Sequence, residues 1–171
     1  MQYHNIEYKN SSKEQSMKLV SAKLGEIEYS PDNVIHFKHG LIGLENMQNF
    51  LLLEENDFAP FGHLQSVDDP SFTLIVINPF LVDPQYSMEL LSDDLESIGV
   101  QSTQDFMALA IVVFSPIPEQ ITVNLKAPLL VNIKDKKARQ VLLISDNYTV
   151  SDPLIKSGIM QQYKAPQGEP R

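Results

Sequence analysis

Proline punctuates this chain so often that no long helix fits its middle. Pro60, Pro70, Pro79, Pro116, Pro118 and Pro128 each lack a backbone donor and fix φ, so none can lie inside a central strand. Between and around them lie apolar runs of strand length: Phe50–Leu53, His63–Gln65, Phe72–Ile77, Phe106–Phe114, Ile121–Leu125, Leu129–Ile133 and Gln140–Ile144. Upstream, Val20, Ala22 and Leu24 alternate with Ser21 and Lys23. Ile27–Tyr29 follows Gly25, and Val34–Phe37 follows the turn Ser30-Pro31-Asp32-Asn33. Phe106–Phe114 has no polar alternation and is expected to be central and buried on both faces. Asp135-Lys136-Lys137-Ala138 reads as a hairpin loop between two apolar strands. Helix is scarce. Leu91, Leu95 and Ile98 recur at helical spacing, a serine near Ser92 can cap, Asp93 and Asp94 suit the N-terminal dipole, and Gly99 stops the helix. Glu45–Asn49 is expected to add one turn. The fold class is therefore all-β and mainly antiparallel, a small β-barrel or two packed sheets of about nine strands with one or two short helices.

The chain has 171 residues and is 43% hydrophobic, enough for one core. We expect a polar extension over 1–16, with Met17 placed as an internal start, a β domain over 17–155, and a flexible tail over 156–171. The longest apolar run is about half of what a bilayer span needs, and the first residues show neither the basic nor the apolar region of a signal peptide. Cysteine is absent, which excludes disulfides, thiolate nucleophiles and Cys-based metal sites. A cytoplasmic protein with no membrane partner is expected.

Charge is distributed unevenly. From His39 to Leu125 there is no lysine or arginine, whereas Glu45, Glu54, Glu55, Asp57, Asp68, Asp69, Asp83, Glu89, Asp93, Asp94, Glu96, Asp105 and Glu119 all fall in that stretch. Phosphate neutralisation needs lysine and arginine, so direct nucleic-acid binding is disfavoured. The partner such a surface suits is a basic protein, drawn in by complementary fields and released as salt rises. The alternative is that the acids serve solubility alone.

No catalytic constellation emerges. His36 and His39 are three apart and would face opposite sides of a strand, while His63 is distant, so a metal site is not expected and the histidines read as turn or surface residues. Asp68-Asp69 precedes Pro70 in a turn and Asp93-Asp94 opens a helix, so neither is a convergent acid pair. No G-x-S-x-G, G-x-G-x-x-G or P-loop occurs. No cofactor is expected. What remains is a set of polar residues in apolar settings: Gln65, Ser66, Asp68, Asp69, Asn78 and Asn124, with Asn132 inside Leu129–Ile133. They either satisfy turn backbones or present themselves to a partner from turns at one end of a barrel. Phe58, Phe61, Phe72 and Phe80 lie near the same turns and either fill the core or line a groove.

Several of these segments resemble the FliW family of flagellar assembly factors. They are Leu24-Gly25-Glu26-Ile27, Ile35-His36-Phe37 with Gly40-Leu41-Ile42-Gly43-Leu44-Glu45, Pro60-Phe61, and Leu64-Gln65-Ser66-Val67-Asp68-Asp69-Pro70. Further on come Asn78-Pro79-Phe80, Thr122-Val123-Asn124-Leu125 with Ala127-Pro128-Leu129, then Tyr148 and Pro153-Leu154. The sequence departs from the family pattern at Ile42, where many members have proline, and at Asn78, where aspartate is common. The resemblance implies a non-catalytic interaction protein that binds two partners: flagellin and the carbon storage regulator CsrA, a small basic dimer that represses flagellin translation. Binding CsrA would relieve repression, and new flagellin would compete and restore it. The expected partner contacts are Gln65, Ser66, Asp68, Asp69, Asn78, Phe80 and Asn124, and a monomer is expected when the protein is free. A small-ligand-binding or hydrolytic β-barrel is the alternative, as is a structural domain without a partner.

Overall fold

A computed structural model describes residues 15–162. Eleven strands and three short helices follow in order: β1 (Met17–Ser21), β2 (Gly25–Tyr29), β3 (Ile35–Phe37), β4 (Asn49–Leu53), β5 (Phe61–Ser66), β6 (Thr73–Ile77), α1 (Pro79–Val82) and α2 (Ser92–Ser97). Then come β7 (Phe106–Val113), β8 (Thr122–Val123), β9 (Leu129–Asn132), β10 (Lys137–Gln140), β11 (Asp152–Pro153) and α3 (Ile159–Gln162). Strands β3, β4, β5, β6, β7, β9 and β10 close on themselves, because β7 pairs with β6 on one edge and with β9 on the other. The pairings are antiparallel except β3 with β10, which run parallel. Closure removes the free edges that an open sheet of this size would expose. Strands β1 and β2 form a separate hairpin, and β8 and β11 extend the second half of β7.

Strand alternation sorts the side chains into two cores. Residues pointing into the barrel, among them Ile35, Phe37, Phe50, Leu64, Val76, Leu109, Leu129 and Val131, pack on one another, with Phe37 edge-on to Phe50 at 5.5 Å. Their alternates on β5, β6, β7 and β9 point outward yet are also buried. Phe61, Ile77, Ala110, Val112 and Leu130 meet a second layer of Tyr86, Ile98, Val100, Ile121, Leu125, Leu143 and Leu154. The nine-residue apolar run is therefore central, as expected, and its middle is buried on both faces.

Some boundaries move. The run Gln140–Ile144 is not the tenth strand; that strand is Lys137–Gln140, and the turn before it spans residues 133–136. Beyond Gln140, only alternate residues Val141 and Leu143 go inside, held by their amides on the carbonyls of Pro128 and Lys126. The α2 cap is not a serine. Leu91 occupies the cap position, and the Asp94 carboxylate accepts its N–H at 3.0 Å. Of Glu45–Asn49, only Glu45 and Asn46 form a turn, with no helix, and Asn49 already begins β4. Residues 1–14 of the expected extension and 163–171 of the expected tail lie outside the described residues. Within the rest of the tail, Ile159 is buried against the outer core with Met160 beside it. No helix of the described residues is long and apolar enough to cross a membrane.

Candidate functional site

The turn between β5 and β6 is built around Gln65, which has no exposed surface. Its side-chain oxygen accepts from the Ser21 and Thr73 hydroxyls, each at 2.6 Å, and its amide nitrogen donates to the carbonyls of Ser66, Phe72 and Pro70. Buried amides are tolerated only when satisfied in this way. The Ser21 hydroxyl also accepts from the amides of Lys23 and Leu24, so the β1–β2 turn and the β5–β6 turn share one network. Ser66 is buried too and accepts from the amide of Asp69. Gln65 and Ser66, candidates both for turn support and for partner contact, lie inside, where their polar atoms shape the turn.

Asp68 and Asp69 sit on the outside of the same turn and differ in role. Asp69 accepts from the amide and hydroxyl of Ser71, and these two bonds hold its carboxyl below the usual range. Asp68 instead reaches to β4, accepting from the amides of Gln48 and Asn49 and from the Asn49 side chain at 2.7–2.9 Å. Burial alone would raise its pKa, but these bonds outweigh it and the carboxyl is held low. The Asn49 oxygen in turn meets Nδ1 of His36 at 3.0 Å, so that ring nitrogen carries the proton.

Asn78, Phe80 and their neighbours lie at the other end of the barrel, because β5 and β6 run the length of the hairpin between the two sets. Asn78 caps α1 by accepting from the amide of Phe80 at 2.9 Å. Phe80 is 43% exposed and leans edge-on against Tyr86, and Leu81 is 51% exposed. Beneath them runs a groove of about 380 Å³ with Phe61, Val76, Ile77, Met107 and Leu109 in its floor and Leu81 on its flank. Its rim is Glu54, Glu55 and Asn56, and among the described residues no lysine or arginine lines it. A second groove of similar size, lined by Glu28, Leu51, Leu53, Val131 and Ile133, shares Glu54 and Met107 with the first. This apolar floor with an acidic rim was not singled out from the sequence. The signal was there, in the acids Glu54, Glu55 and Asp57 placed directly after an apolar strand.

Asn124 belongs to neither end. Its amide bonds to the carbonyl of Ile111 and its side chain accepts from Ala127, holding the detour by which the chain leaves β8 and re-enters the barrel as β9. Asn132 acts similarly, bonding the carbonyl of Ile98 and the amides of Lys134 and Asp135. Of the four phenylalanines, Phe61 is buried; Phe58 and Phe72 are half-buried against the two cores; Phe80 is the exposed one.

His63 also departs from expectation. It is 6% exposed, stacked on Phe58 at 4.4 Å and nearly parallel to it, and its Nδ1 has no partner. Burial first, then the nearby Lys23 charge, depress its pKa, against a smaller opposing effect of Glu55. Among the described residues no three His, Cys, Asp or Glu side chains converge to hold a metal ion.

Comparison with known proteins places this geometry. The sequence model of the FliW protein family matches residues 18–154. The flagellar assembly factor FliW of Thermoanaerobacter pseudethanolicus is 33% identical over 82% of this chain and 94% of its own length. That of Caldicellulosiruptor bescii is 37% identical over 75% of this chain and 84% of its own. A solved crystal structure of the flagellar assembly factor FliW superposes with a TM-score of 0.75 at 29% identity, covering 81% of this chain and 96% of that one.

Proposed function

Because the chain belongs to the FliW family of flagellar assembly factors, we propose that it is a non-catalytic regulator that works by holding protein partners in turn. The partners are CsrA and flagellin. CsrA, bound here, is kept from flagellin mRNA; flagellin, once made, competes for the factor and returns CsrA to the message. Both events take place in the cytoplasm, and the factor is a monomer between them.

The observation that carries this reading is the apolar groove under α1, rimmed by Glu54 and Glu55 and, among the described residues, lined by no lysine or arginine. It lies in the stretch that has no lysine or arginine from His39 to Leu125. An acidic rim accelerates encounter with a basic protein, and the apolar floor supplies affinity once contact is made. The same negative field repels RNA phosphate from the complex. Flagellin, whose helices carry apolar faces, is received by the exposed Phe80 and Leu81 and the groove beside them.

A ligand-binding or hydrolytic barrel would need convergent polar groups with unspent hydrogen bonds facing a cavity. Gln65 and Asp68, the strongest polar candidates, spend theirs on the fold itself. The discriminating experiment is titration with purified CsrA at low and high salt, followed by flagellin as competitor. Salt-sensitive binding displaced by flagellin supports the reading, and absence of binding to either protein overturns it.

A further inference from the structure

The fold brings together the basic residues that the sequence keeps apart. Lys38 is the last lysine before the base-free stretch and Arg139 lies beyond its end. Strand β10 runs parallel to β3 with Lys137 beside His36 and Ala138 beside Phe37, so the chain positions that follow, Lys38 and Arg139, come to one place. There a cavity of about 320 Å³ opens between the 38–45 loop and the last turn of α2. Lys38, His39 and Arg139 stand around an apolar lining of Leu41, Ile42 and Ala138.

The wall is fixed before any ligand arrives. Gly40 takes φ +66, Leu41 is buried, and the Ile42 amide donates to the Gln140 side chain at 2.8 Å. Nearby acids are engaged: Glu45 accepts from the Gly43 amide at 3.0 Å, and Asp94 is shared between the Leu91 amide and Arg139. Among the described residues Lys38 is in no ion pair, and Ile42 is 62% exposed.

We propose that this cavity is a docking site for an acidic protein segment bearing a large apolar side chain. That side chain enters over Leu41 and Ala138 and covers Ile42, while carboxylates on either side of it meet Lys38, His39 and Arg139. Single-stranded RNA is the less suited anion. It needs a series of aromatic faces for its bases and an unbroken cationic track, whereas among the described residues this wall offers one small ring, the His39 imidazole, and Glu45 interrupts the cations. The cavity lies at the C-terminal ends of β3 and β10, away from the groove under α1 at the start of β5 and end of β6. It therefore stands or falls independently of the CsrA and flagellin reading.

The test is fluorescence polarisation of the whole protein with four labelled probes: a peptide alternating glutamate and leucine, the same peptide with alanine for leucine, one alternating lysine and leucine, and an oligouridylate. The glutamate–leucine peptide binds, more weakly as salt rises, and the alanine peptide binds about tenfold more weakly, as loss of most of one buried leucine implies. Lys38→Glu and Ile42→Asp each weaken the glutamate–leucine peptide about fivefold or more, with unchanged thermal unfolding because both side chains are exposed. No binding of that peptide, binding by both variants equal to that of wild type, or tighter binding of the oligouridylate or the lysine peptide overturns the proposal.

Discussion

The Ser21 hydroxyl donates to the side-chain oxygen of Gln65 at 2.6 Å, and through this contact the β1–β2 hairpin is fastened over the outside of the barrel. The two residues are 44 positions apart and both are buried. Ala22 adds a backbone bond to Pro70 at 3.1 Å. The Leu64–Pro70 segment, one of those that resemble the family, thus takes part in a fastening between two hairpins.

Replacing Gln65 by leucine keeps the volume and strands its partners. Two hydroxyls and three carbonyls lose a hydrogen bond together, so Gln65→Leu is expected to destabilise by about 3 kcal/mol. Urea unfolding of wild type and variant checks this; a change below about 1 kcal/mol would mean that the network contributes little.

Gly40 and Gly43 both hold positive φ, at 66° and 81°, yet only Gly40 is enclosed. A Cβ there would lie 2.6 Å from the Glu45 backbone, whereas at Gly43 it would meet nothing within 4 Å. Gly43→Ala is expected to cost about 1 kcal/mol from the left-handed backbone alone. Gly40→Ala is expected to cost about 3 kcal/mol or more, because backbone must move as well. Equal melting temperatures for the two variants would contradict this.

His63 gives a pH dependence with a definite sign. Its folded-state pKa lies below the ordinary 6.5, so the folded state binds fewer protons than the unfolded chain as pH falls. Its contribution is therefore fully present above about pH 6.5 and is lost as pH drops from there through the folded-state value. Urea unfolding at pH 7.5 and 5.5 should show the wild type losing stability on acidification, and His63→Leu losing less. Parallel pH slopes would sink the assignment. Asp68 acts lower on the scale, holding its stabilisation above the ordinary carboxylate range and losing it as pH falls through its own depressed pKa.

Leu81 is exposed at the flank of the groove, so Leu81→Ser should leave stability within about 0.5 kcal/mol and reduce recovery of flagellin in a pull-down. Recovery equal to wild type would remove this flank from the flagellin contact.

Much of the fold was legible in sequence, and the exceptions share a cause. The central strand β7 declared itself because both its faces are covered, which leaves an unbroken apolar run. His63 reads as a surface residue because it alternates with inward-pointing Leu64, and Gln65 on the same face stays open between turn support and partner contact, since polar alternates usually face water. Here the outer face of β5 is covered as well, by the β1–β2 turn over Gln65 and by Phe58 over His63, and no local pattern announces a second layer. Strand β10 was displaced for the opposite reason. Its inward contribution is Ala138 between Lys137 and Arg139, so it reads as polar, while the more apolar 141–144 segment leaves Leu142 and Ile144 in solvent. The candidate residues were found one by one, but their separation between the two ends of the barrel depends on the β5–β6 register. The groove under α1 joins β5, β6, β7 and the loop after β4, which no single stretch of sequence brings together.

The central claim is that the acidic rim of that groove draws in a basic partner. The direct test is titration of CsrA, at low and high salt, into wild type and into a triple variant that neutralises the rim acids, Glu54→Gln and Glu55→Gln, together with the neighbouring Asp57→Asn. All three side chains are exposed, so the fold should persist. Wild-type affinity is expected to fall as salt rises, the triple variant to bind more weakly at low salt, and the two to converge at high salt. Equal affinities and equal salt slopes for both proteins would contradict it.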